Sequence, residues 1–254
     1  MMSSRQIIAH SLFLGFCASL IILVTKPSSS LVFTFFATSS CYVFLRLSLL
    51  KKVEKTRSIV VAIILAACAI GAAMSLSKDQ KIIAAFSVVI LIPYVIPGKI
   101  SSRNQFLLKP VTIGICWAMM TVGLAFDNNP FFLPNDRSVF EIFTQIFILT
   151  FILSLLYDYR DKIFIPTKER TIPYFFSEKS FYSILWIALV VSFVAFILIG
   201  ENIHAGIAFF TTSIFILFLF RKMKSLGYSR ATWLTDTGFV IYATTYAVLN
   251  AIFG

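Results

Sequence analysis

The sequence predicts an all-α integral membrane protein: one bundle of nine transmembrane helices, with the N-terminus in the cytoplasm and the C-terminus outside. Composition, apolar runs and the placement of basic residues predict it. The chain is 59% hydrophobic and 13% charged over 254 residues, with a mean hydropathy of +0.90. Soluble domains are about 45–50% apolar and about 25% charged; this chain has too few polar residues to clothe a water-facing surface. It is too rich in aliphatic and aromatic residues for a disordered chain.

Nine apolar runs approach the roughly 20 residues a helix needs to cross the hydrocarbon. They are residues 6–25, 31–50, 59–77, 82–97, 107–126, 139–157, 181–200, 203–220 and 232–253. The first, behind Arg5 and ahead of Ser28–Ser30, loosely resembles a signal peptide but is longer than an h-region of about 7–15 residues. Bulky Phe16 before Cys17 argues against a lipoprotein box. The fourth run carries Pro93 and Pro97, which predict a kink or break. Only Glu201 and Asn202 separate the seventh and eighth, which predicts a tight helical hairpin.

Orientation follows from the cations. There are 22 Lys and Arg against 11 Asp and Glu. With the N-terminus inside, 18 of the 22 fall in inside segments and Lys26, Lys78, Lys81 and Arg137 fall outside. The positive balance thus belongs to loops, and no nucleic-acid partner is expected. Cys17, Cys41, Cys68 and Cys116 lie in apolar runs without a CxxC spacing, so they read as packing residues with no disulfide. No internal repeat or soluble domain is visible, so residues 1–254 form a single transmembrane domain. An odd span count also disfavours a transporter built from two inverted halves.

Charges at membrane depth are functional candidates. Arg46, Lys109, Asp158 and Asp236 stand just inside the cytoplasmic ends of their spans, and Arg160 and Asp161 follow Asp158. Long basic side chains can snorkel to the headgroups; short carboxylates cannot. Asp158 and Asp161, at i and i+3, share a helix face. They suit either one divalent cation or local pairing with Arg160, Lys162 and Lys168. His10 and His204 fall on opposite sides and form no common site.

The stretch Asp158-Tyr159-Arg160-Asp161, followed by Lys168-Glu169-Arg170-Thr171-Ile172-Pro173, resembles the second motif of the UbiA superfamily of intramembrane prenyltransferases. Ser102-Arg103, Lys109 and Trp117-Ala118 resemble that family's R…LK…WA pattern. The resemblance covers the whole chain as architecture and about 40 residues as motif. It implies a UbiA-like fold with a polar cavity open to the cytoplasm, in a multi-pass inner-membrane protein. It also implies transfer of a prenyl group from a diphosphate to a lipid-phase acceptor such as a quinone-type lipid. Asp158 and Asp161 would then hold Mg²⁺, while Arg46, Lys109 and Arg160 bind diphosphate and Asp236 orients a partner or acts as a base.

Two departures stand beside it. The family's first acidic motif is replaced by Cys41-Tyr42-Val43-Phe44-Leu45-Arg46-Leu47, and Ile165 stands where the second motif has its third Asp. The site has shifted from acidic-plus-metal toward basic. A second expectation is therefore kept: a non-catalytic UbiA-like lipid-binding protein, or a membrane subunit of a complex. Donor, acceptor, oligomeric state and protein partners are not specified by the residues.

Overall fold

The computed structural model describes residues 3–26, 28–47, 52–95, 107–126, 137–164, 171–200 and 202–253. The body of each apolar run lies in a helix. α1 is Ser4–Thr25, α2 Ser30–Arg46, α3 Lys52–Ala73 and α4 Lys78–Val95. α5, Leu108–Ala118, continues through a π-helical turn, Met119–Gly123, into α6, Leu124–Phe126. α7 is Arg137–Phe164, α8 the short Ile172–Phe175, α9 Glu178–Ile199, α10 Ile203–Leu226 and α11 Tyr228–Phe253. No strand occurs among the described residues. Six segments are singly long and apolar enough to cross a membrane: α1, α3, α7, α9, α10 and the continuous Leu108–Phe126. The chain is a multi-pass membrane protein.

The α9–α10 hairpin forms where the sequence places it. Asn202 caps α10, its side chain accepting from the Ala205 amide at 3.0 Å, a standard use of Asn before a helix. α4 of the fourth run includes Pro93 and is described to Val95, two residues beyond it. Pro97 lies outside the described residues.

α7 is the hub. Two thirds (67%) of its most apolar window is buried, against 22% for α3 and 17% for α9, so α7 is protein-enclosed while α3 and α9 are peripheral. It packs on α5, α10 and α11, α11 packs on α1, and α1 on α2. Glycine permits two of these approaches, since helices in lipid associate by close packing of small residues. A Cβ at Gly15 would stand 2.6 Å from the Phe35 carbonyl of α2. One at Gly114 would stand 2.9 Å from the Phe147 ring of α7.

The π turn disturbs the helical ladder, and polar side chains answer it. Thr34 donates to the Met120 carbonyl at 3.1 Å, Gln80 to that of Leu124 at 2.8 Å, and Thr121 to that of Trp117 at 2.7 Å. Trp117, just ahead of the turn, stacks its ring on Phe239 of α11 at 4.2 Å and 3°.

Candidate active site

The last turns of α7 meet the first turns of α1, α5 and α11 at the end of the bundle that carries most of the basic residues. Lys109 lies in the first turn of α5 and Asp161 in the last turn of α7. A helix dipole disfavours a cation at the first place and an anion at the second, so neither is there for helix stability. Each is matched by a partner. Lys109 Nζ is ion-paired to Asp158, and both residues are buried. Arg160 is ion-paired to Asp161, its Nε donating at 2.8 Å. The guanidinium also donates to the Thr232 hydroxyl of α11 at 2.8 Å. It lies over the rings of Tyr157 and Tyr228, 4.5 Å from each. Arg160 is therefore a planar cation clamped between α7 and α11, with 3% of its surface exposed, whereas Asp161 keeps 24% of its side chain exposed. Asp161 is the opening of the network.

Asp236 sits deeper, fully buried on α11. It takes His10 Nε2 of α1 on one oxygen and the Tyr157 hydroxyl of α7 on the other. Tyr157 Oη and His10 Nε2 are 3.5 Å apart. Arg46, half-buried at the end of α2, acts electrostatically on both His10 and Tyr157, as does Arg160. The chain Asp161–Arg160–Tyr157–Asp236–His10 is contiguous, and Asp158 of the Lys109–Asp158 pair follows Tyr157 in sequence.

An apolar cavity of about 460 Å³ opens between α2, α4 and α5. Tyr42, Leu91, Ile113, Trp117 and Met120 are among its walls. Arg46 and Lys109 stand one helical turn beyond Tyr42 and Ile113 on the same helix faces, and Trp117 Nε1 donates to the Tyr42 hydroxyl at 3.1 Å. The charged cluster and the apolar cavity thus adjoin along α2 and α5, an arrangement suited to a ligand with an anionic head and an apolar tail.

Of the sequence candidates, Arg160, Asp161 and Asp236 are joined directly through Tyr157. Lys109 and Asp158 pair with one another, and Arg46 is in electrostatic reach. Ser102, Arg103, Lys168, Arg170 and Ile165 lie outside the described residues. Two members went unassigned in the sequence: Tyr157, and His10, which was set aside for being opposite His204. Counting depth would have found His10. Since α1 and α11 both start at this end, His10 and Asp236 fall roughly 9 and 12 Å along their helices at 1.5 Å per residue.

The carboxylates bear on the expected Mg²⁺. Asp158 and Asp161 share a face of α7, but each already neutralises a cation, and an ion placed between them would meet Lys109 and Arg160. Among the described residues no three His, Cys, Asp or Glu side chains converge as ligands. Among the described residues the donor set does not fit a resident metal.

No family model matches the chain, and none of the curated proteins compared matches it. Among solved structures, it is similar to a digeranylgeranylglyceryl phosphate synthase in membranes, with a TM-score of 0.50 at 12% identity over 96% of either chain. That likeness establishes the fold of a membrane prenyltransferase.

Proposed function

We propose that this chain is a divergent member of the UbiA superfamily, and that it binds a prenyl diphosphate and transfers its prenyl group to a lipid-phase acceptor. The observation that carries the reading is the juxtaposition of buried cations, Lys109 and Arg160, with the 460 Å³ apolar cavity beside Arg46. Arg binds phosphate bidentately, and the cavity takes an isoprenoid tail. At rest Asp158 and Asp161 neutralise cations that would be costly to bury alone. A diphosphate would displace those carboxylates, and any Mg²⁺ would arrive with it as part of the substrate. The same fold as a synthase named for a geranylgeranyl product agrees with this. We place the site on the cytoplasmic face of an inner membrane, on the grounds of the 18-to-4 distribution of Lys and Arg over nine proposed spans.

The absence of a carboxylate from Cys41 to Leu47 favours a second reading, in which the site binds the lipid without turning it over. Titrating the purified full chain in detergent with geranylgeranyl diphosphate, and analysing products with a quinone-type phenol present, separates the two. Binding with release of diphosphate and a prenylated phenol is the expected result. Binding without turnover selects the second reading, and no binding refutes both.

A further inference from the structure

The three carboxylates of the site are held differently. Asp158 and Asp161 face ammonium and guanidinium partners. Asp236 faces an imidazole through one oxygen and accepts from a phenol through the other. His10 is fully buried and presents Nε2 to Asp236. The other ionisable groups around Asp236 are Cys17, whose thiol contacts the Asp236 carbonyl at 3.9 Å, and Tyr42. Asp236 is the site carboxylate that accepts from a hydroxyl group, that of Tyr157.

Asp236 has no surface of its own, but Tyr157 is only half-buried, and its hydroxyl already points its proton at Asp236. We infer that Tyr157 and Asp236 form a proton relay for a hydroxyl-bearing acceptor, with His10 as the positioning residue that fixes the Asp236 carboxylate. This rests on the prenyl-transfer reading and names the acceptor class. In the step, an oxygen lone pair of the acceptor forms the bond to the prenyl carbon. The carbon–oxygen bond to diphosphate breaks, and diphosphate leaves with that electron pair. The acceptor's proton passes to Tyr157 Oη while Tyr157's own proton passes to Asp236. A hydrogen-bonded path of this kind needs no water in the apolar interior, and Arg160 over the Tyr157 ring ties the relay to the diphosphate end.

The test is a 4-nitrophenol bearing an alkyl chain, whose absorbance reports its ionisation, mixed with the detergent-purified full chain below the probe's own pKa. The wild-type chain is expected to bind the probe and convert it to nitrophenolate. Asp236→Asn and Tyr157→Phe should bind it un-ionised, with the bound phenolate fraction down about tenfold or more. His10→Gln keeps an N–H donor for Asp236 and should retain most of the conversion. A probe that does not bind, that stays neutral on the wild-type chain, or that ionises equally on Asp236→Asn and Tyr157→Phe overturns the relay. Should Asp236→Asn not fold, Tyr157→Phe decides by the same reading. Because the probe needs no prenyl donor, ionisation without any prenyl transfer would sink the proposed reaction and leave the relay standing. Transfer with no ionisation would do the reverse.

Discussion

α7 and α11 carry buried polar networks at both ends of the bundle, and the two are built differently. At the charged end the contacts are ion pairs and titratable groups: Lys109–Asp158, Arg160–Asp161 and His10–Asp236–Tyr157. At the far end they are hydrogen bonds among amides, phenols, one acid and the His204 imidazole, whose Nδ1 lies 2.7 Å from Asn250 Oδ1. Gln145 donates to Glu141 at 3.1 Å and accepts from Tyr242 at 2.9 Å. The other Glu141 oxygen accepts from the Asn202 amide at 3.0 Å, and Asn202 donates to Tyr246 at 3.1 Å. This second network grips the α9–α10 turn; a Cβ at Gly200 would lie 2.8 Å from the Glu141 carboxyl carbon. Between the ends lie Leu153, Gly238 and Phe239, all close-packed. One pair of helices thus carries a hydrogen-bonded network at one end and the candidate site at the other.

The largest effect expected from breaking this comparison is at Lys109. Lys109→Met removes the ammonium that is ion-paired to buried Asp158, and removing one partner of a buried pair costs about 3–5 kcal/mol. Thermal unfolding in detergent should show it. The double variant Lys109→Met with Asp158→Leu should recover most of the loss, because replacing both charges by apolar groups is often neutral or better. Equal destabilisation in the single and double variants would mean that the pair contributes by packing rather than charge.

Next in size is Arg46. If the cations take the diphosphate directly, Arg46→Ala should weaken binding of inorganic diphosphate by about 1.5–3 kcal/mol, the range of a charge-assisted hydrogen bond. Chelating divalent ions with EDTA should weaken it less, since Asp158 and Asp161 are already paired with cations. Calorimetric titration of the purified chain measures both. Binding abolished by EDTA and untouched by Arg46→Ala would return the site to a metal-held diphosphate.

Much of this division was readable in the residues, and what escaped has a physical reason. Apolar runs and the sidedness of Lys and Arg are one-dimensional signals, so the helices and the charged end emerged at once. Asp158, Arg160 and Asp161 emerged because consecutive charges in an apolar chain are conspicuous. The local pairing of Asp161 with Arg160 emerged with them. The partner of Asp158 did not, since that pairing depends on which helices touch: Lys109 meets Asp158 across the α5–α7 contact allowed by Gly114. His10 and Tyr157 look like ordinary interior residues until α1 and α11 are known to run side by side from the same end. Glu141 was overlooked because it stands in the first turn and a half of its span, where an acid reads as an interfacial residue.

The smallest effect sharpens the comparison from the scaffold side. Tyr242 is fully buried, and its hydroxyl donates to Gln145. Tyr242→Phe keeps the ring and its stacking with Tyr246 and removes one neutral hydrogen bond. Such bonds between membrane helices average about 0.6 kcal/mol, because the chain unfolded within the membrane finds other partners. The loss of stability should therefore fall near that value, well under the Lys109→Met cost. Diphosphate affinity should not change, since Leu153, Gly238 and Phe239 separate this network from Asp236. Measuring both quantities on one preparation makes the outcome decisive. A Tyr242→Phe variant that lost diphosphate binding in proportion to stability would show that the two ends are energetically coupled through α7 and α11, and the division between scaffold and site would have to be given up.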